Sequence, residues 1–127
     1  GNSAIIEYVD NKMVVISQKE DKENLMLTNY FLTPDGDNHD GRGYDRYEKI
    51  ETTLKANNGT LTEDEAMKLL SEVTLFYKHK TLKHQVITLW SSVYNCNEKS
   101  MLMCAGMDYN TKYKFYVDKP CEVIKVK

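Results

Sequence analysis

Residues 88 to 106 read "TLWSSVYNCNEKSMLMCAG". Two apolar-rich runs, belonging to "HQVITLWSSVYN" and "SMLMCAGM", flank "CNEK", a short polar connection suited to a β-hairpin. "KYKFYV" and "CEVIKV" follow, separated by Pro120. The last third of the chain is therefore expected to form three or four strands.

Immediately upstream, Thr62 and Glu65 make a capping box, and the acidic residues at 63 to 65 suit the positive end of a helix dipole. Ala66, Leu69, Leu70, Val73 and Phe76 then share one helical face. Before that, Tyr44, Tyr47, Ile50 and Leu54 recur at three- and four-residue steps, which predicts another helix, ended by "ANNG" at 56 to 59. From Thr33 to Gly43, "TPDGDNHDGRG" has Pro, Gly, Asp and Asn in quick succession and reads as a loop.

At the N-terminal end, "AIIEYV" and "KMVVIS" are β-branched runs joined by Asp10-Asn11, so residues 4 to 17 read as a hairpin. "QKEDKEN" is a charged, solvated connection. "NLMLTN" is expected to be a third strand. The order is three strands, two helices, then three or four strands. The fold class expected is α+β: one antiparallel sheet with two helices on one face, in a single domain over residues 1 to 127.

Composition narrows the function. A length of 127 residues allows one real core without disulfides or metal. Charged residues are 28% of the chain, but the net charge is only −2. There is no basic footprint for nucleic acid or an anionic membrane, so neither is expected as a partner. Apolar runs such as "MVVI" fall far short of a bilayer span. The three cysteines, Cys96, Cys104 and Cys121, form no CxxC pair and read as small buried apolar residues, core filler, of a reducing compartment, which favours the cytoplasm. Gly1 stands where an initiator Met is expected and reads as a remnant of cleavage, so the missing signal peptide says nothing of a parent protein.

Several chemistries lack their parts. In "DGDNHDG", Asp35, Asp37 and His39 alternate as calcium ligands do, but Asp40 replaces the loop's glycine and Arg46 its bidentate Glu. His79 and His84 lie in a basic patch at a helix end, where cations suit the dipole. Ser91-Ser92 lacks the GxSxG elbow, and no glycine-rich phosphate loop is present. Asn58-Gly59-Thr60 matches a glycosylation acceptor by a common triplet. Trp90 and the nine tyrosines alternate with aliphatic residues as sheet residues do. No cofactor or metal is expected.

Asn29 and Arg46 stand out. In "NLMLTNYFLTP", residues 24 to 34, an apolar run stops at Thr28-Asn29 and resumes at Tyr30. Arg46 lies on the first turn of the first helix between Tyr44 and Tyr47, where a lone guanidinium is costly without partners. An amide and a guanidinium brought together across a loop are parts of a site that holds an oxyanion or a carboxylate. A capping Asn and a salt-bridged Arg account for the same residues structurally.

The order of these motifs, "TN" closing an apolar strand, "DRYEKI" opening a helix, a second helix, then "TLWSSVYNCNEKSMLMCAG" and "YKFYV", resembles the C-terminal half of the linear amide C–N hydrolases. These are N-terminal-nucleophile enzymes that include choloylglycine hydrolase, penicillin V acylase and the acyl-coenzyme A:isopenicillin N acyltransferase group, and the resemblance runs from about Ala4 to Val117. It implies half of an αββα sandwich. It also implies a hydrolase or acyltransferase in which an N-terminal cysteine, with its α-amino group as base, attacks a non-peptide amide. Asn29 falls on the family's asparagine, which stabilises the tetrahedral intermediate. Arg46, or alternatively Arg42, falls on the arginine near the nucleophile.

The chain departs from the family at Tyr30 and at Tyr44-Asp45, which bears on the substrate. The expected partners are a small-molecule amide substrate, an N-terminal half that supplies the nucleophile, and a second copy forming a homodimer through the uncovered sheet face. The isolated chain is expected to be inactive. The alternative is a non-catalytic α+β module for binding or self-association.

Overall fold

The computed structural model describes residues 3–17, 24–34, 36–38, 41–78 and 85–126. Asp35, His39, Asp40, His79, His84 and all but Asn24 of the charged connection at 18–24 lie outside the described residues. The chain is α+β, with antiparallel sheets and two helices. It divides into two compact units, Gly1–Thr60 and Leu61–Lys127.

In the first unit, β1 (Ala4–Val9) pairs antiparallel with β2 (Lys12–Ser17), Val9 opposite Lys12. Asp10 and Asn11 take φ of 50° and 61°, the left-handed pair that matches the twist of a two-residue hairpin. On β1, Ile5, Glu7 and Val9 are buried while Ile6 and Tyr8 are exposed, the period-two alternation of a one-sided strand. Helix α1 (Tyr44–Ala56) closes with a Schellman motif: Gly59 donates to Leu54 at 2.8 Å and Asn58, at φ 53°, donates to Lys55 at 3.4 Å.

The second unit begins with α2 (Glu63–Glu72), whose Thr62–Glu65 capping box is formed as the sequence predicts. A short hairpin follows, β3 (Phe76–Lys78) with β4 (Gln85–Ile87). The four strands β5 (Trp90–Asn95), β6 (Ser100–Ala105), β7 (Thr111–Tyr116) and β8 (Glu122–Lys125) then form an antiparallel sheet in sequence order. Met67 of α2 meets Leu102 and Cys104 of β6 in the core, with Leu70, Val93 and Tyr109 around them.

Lysines at alternate positions on β7 reach the acidic first turn of α2. Lys114 contacts Glu63 at 2.8 Å and Lys112 contacts Asp64 at 2.5 Å. Glu63 also accepts from Asn95 at 2.9 Å. The side chain of Lys114 is only 16% exposed, so this bridge is stronger than an ordinary surface pair.

Four expectations need correction. Among the described residues the strands form three separate hydrogen-bonded sheets, not one, and α1 and α2 belong to different units. "NLMLTN" is no strand. Side-chain bonds tie the chain down from Thr28 onward, and Asn38 brackets Phe31, accepting from its N–H and donating to its carbonyl, both at 2.9 Å. Phe76 lies beyond the end of α2, in β3. The run at 85 to 95 breaks at Thr88-Leu89, where Thr88 exchanges bonds with Leu75: its N–H donates to the carbonyl and its Oγ1 accepts from the amide.

No helix among the described residues is long and apolar enough to cross a membrane. All three cysteines are free; Cys104 is buried, whereas Cys96 and Cys121 are exposed rather than core filler.

Candidate functional site

The site is built from the floor of the first unit upward. Glu7 projects from the buried face of β1, and its carboxylate accepts from the Leu32 N–H at 2.8 Å, the Thr33 N–H at 2.9 Å and the Thr33 hydroxyl. Burial opposes ionisation, but the three hydrogen bonds outweigh it and hold the carboxyl below its ordinary range. Glu7 thus anchors the segment that follows Asn29.

At Asn29-Tyr30 the chain bends. The Thr28 hydroxyl donates to the Gly43 carbonyl at 3.0 Å and accepts from the Tyr30 N–H at 3.3 Å, which ties the bend to the start of α1. Gly43 is the residue that permits this approach. Its φ is 86°, and a Cβ there would lie 2.6 Å from Asn29 Oδ1.

Arg46, on the first turn of α1, donates from Nη2 to Asn29 Oδ1. The two residues singled out in the sequence are therefore in direct contact. With the oxygen taken by the guanidinium, the amide's Nδ2 is the group left to donate elsewhere. The Tyr30 ring lies 5.1 Å from that of Tyr44 and 6.3 Å from that of Tyr47. Burial raises the Tyr47 hydroxyl above its ordinary value, with Glu51 adding to it. Arg42 stands in the turn before α1.

Tyr47 also lines an open cleft of about 440 Å³ between the hairpin, the segment around Leu25 and Met26, and α1. In the second unit, Cys104 is 1% exposed and burial pushes its thiol up, away from the thiolate a nucleophile needs. The Ser91 hydroxyl, on β5, is 2.7 Å from the hydroxyl of Tyr109 in the turn between β6 and β7. Among the described residues, no three His, Cys, Asp or Glu gather closely enough to hold a metal ion.

Sequence reasoning passed over Glu7 and Gly43. A signal for Glu7 existed, since Ile5, Glu7 and Val9 share one strand face, where a carboxylate needs donors. For Gly43 there was none beyond its place before the helix.

Fold and site together define an α+β protein with an Asn–Arg pair beside an aromatic cluster and an open apolar cleft. No protein-family model, curated protein or solved structure matches the chain.

Proposed function

We propose that the chain is the C-terminal part of a cysteine N-terminal-nucleophile hydrolase or acyltransferase that cleaves a linear amide C–N bond. The observation that supports this reading best is the contact between Arg46 and Asn29 Oδ1, which leaves the amide nitrogen free to act as a donor. In the proposed reaction a cysteine thiolate outside the chain attacks the amide carbonyl, and the carbonyl oxygen takes up negative charge. Asn29 Nδ2 donates to that oxygen, and Arg46 keeps the amide turned toward it. The tetrahedral intermediate collapses by breaking the C–N bond, the amine leaves with the proton held by the cysteine's α-amino group, and the acyl group of the thioester then passes to water or to another amine, which restores the thiol. Cys104 suits this division of labour, being buried and shifted toward the neutral thiol.

The test is made on the whole protein encoded by the gene. A cysteine that becomes N-terminal after processing is expected upstream, and Asn29→Ala should lower kcat about 10²- to 10³-fold with KM nearly unchanged on a cleaved amide. An upstream region without such a cysteine, or an Asn29→Ala enzyme with full kcat, overturns the reading.

One observation favours the second reading, a module for binding or self-association. Opposite the face that meets α2, the sheet of the second unit presents Trp90, 61% exposed and paired with Ala105, and Tyr94, 70% exposed and in register with Met101 and Phe115. An apolar sheet face of this kind buries itself against a partner. In that case the chain should dimerise in sedimentation, and Tyr94→Lys should return it to a monomer. It also fits the first reading, since half of a sandwich leaves one face apolar.

A further inference from the structure

We propose that the first unit carries a binding cleft for a single linear hydrocarbon chain, the tail of an N-acyl or alkyl amphiphile with an uncharged, hydrogen-bonding head. Helices in proteins are held chiefly by burying one apolar side, yet α1 has no buried residue. Tyr47 and Leu54, on the side it would bury, face the cleft. Tyr47, Glu51, Leu54 and Lys55 line it from one turn to the next, a run of about 12 Å at 1.5 Å per residue, with Asn58 just beyond the helix end. Ile5 and Ile16, directly opposite each other in the hairpin, form a second wall, and Leu25, Met26 and Leu32 a third.

The lining selects the occupant. A volume of about 440 Å³ is within the range of small-molecule sites. An added β-strand needs a ladder of backbone partners, and these walls are chiefly apolar side chains. A flexible hydrocarbon tail has no such requirement. The polar lining comprises Ser17, Asn24 and the C-terminal part of α1, where Glu51 and Lys55 pair at 3.0 Å, with Asn58 just past the helix end. That pair offers both an acceptor and a donor and no net charge, which suits a neutral amide or hydroxyl head.

Such a cleft stands whether or not the whole protein cleaves amides, because binding needs no nucleophile. If both readings hold, the cleft takes the acyl tail of the substrate.

The experiment is calorimetric titration of the 127-residue chain with n-hexyl and n-octyl β-glucoside, each below its micelle concentration. One site per chain is expected, with octyl binding about 15-fold more tightly than hexyl, from ~0.8 kcal/mol per buried methylene. Leu54→Trp and Ile16→Phe, which fill the cleft, should each weaken octyl binding at least about tenfold while circular dichroism and Tm report a folded chain. Trp90→Ala, in the other unit, should leave it unchanged. Non-saturable binding, equal affinity for the two glucosides, full binding by both filled variants, or loss of binding in Trp90→Ala overturns the proposal. So does a dimer that buries Leu54 and Met26 in the absence of glucoside, because a second copy would then be the occupant.

Discussion

The guanidinium of Arg46 donates to the side-chain oxygen of Asn29, a contact between residues 17 apart that joins a bend to the first turn of α1. An exposed polar pair contributes little to stability, about 0–1 kcal/mol. Asn29→Ala and Arg46→Ala should therefore shift the denaturation midpoint of the chain only slightly. If the whole protein cleaves amides as proposed, the same substitutions should each lower its kcat, and Arg46→Lys should restore only part, since an ammonium lacks the planar fork. Paired stability and kcat measurements separate these effects.

Gly43 tests the geometry behind that pair. Gly43→Ala places a methyl 2.6 Å from Asn29 Oδ1 and forces a side chain into left-handed backbone, so it should destabilise the first unit by about 1–2 kcal/mol. Urea denaturation measures the loss. The Asn29 side-chain amide resonances should move with it.

Glu7 makes stability depend on acid. Its carboxyl is held below the ordinary 4.5 in the folded chain, so its contribution is complete at neutral pH and is lost as pH falls from about 4.5 through the folded value. Glu7→Gln should cost about 1.5–3 kcal/mol at pH 7, the range for hydrogen bonds to a charged group. Its deficit against the native chain should shrink as pH is lowered below 4. A constant deficit from pH 7 to pH 3 would contradict this.

Lys114 behaves in the opposite sense. Its hydrogen bond to Glu63 raises it well above the ordinary 10.5, so its contribution is complete below that value and is lost only as pH rises through the higher folded value. The Glu63 carboxyl is correspondingly lowered, first by the Lys114 bond. The bridge should survive at pH 11, where a free lysine is largely neutral. Lys114→Met should cost about 1–3 kcal/mol, between exposed and fully buried pairs, and urea titrations at pH 7 and 11 read both effects.

Met67 measures the core of the second unit. It is 1% exposed against Leu102 and Cys104, so Met67→Ala should cost about 2–5 kcal/mol in denaturant unfolding.

Local chemistry was legible in the chain wherever neighbours in sequence supply the partners. The Thr62–Glu65 capping box, the Asp10-Asn11 turn, the end of α1 at Asn58-Gly59 and the hairpin at "CNEK" all close within a few residues. Asn29 and Arg46 were also visible, as polar groups at positions that call for a partner. What the sequence left open in "NLMLTNYFLTP" was whether Asn29 turns the chain or presents its amide; the chain bends there, and its oxygen meets Arg46.

Tertiary structure alone decided the rest, because it depends on partners distant in the chain. An apolar run such as Leu25 to Leu27 becomes a strand only beside a free ladder edge, and here Leu25 and Met26 line a cleft instead while Leu27 is exposed. The buried Glu7 depends on donors 25 and 26 residues away. The division into three small sheets follows from which strand edges met. Periodicity gives each strand its faces, but only the folded chain determines its neighbours.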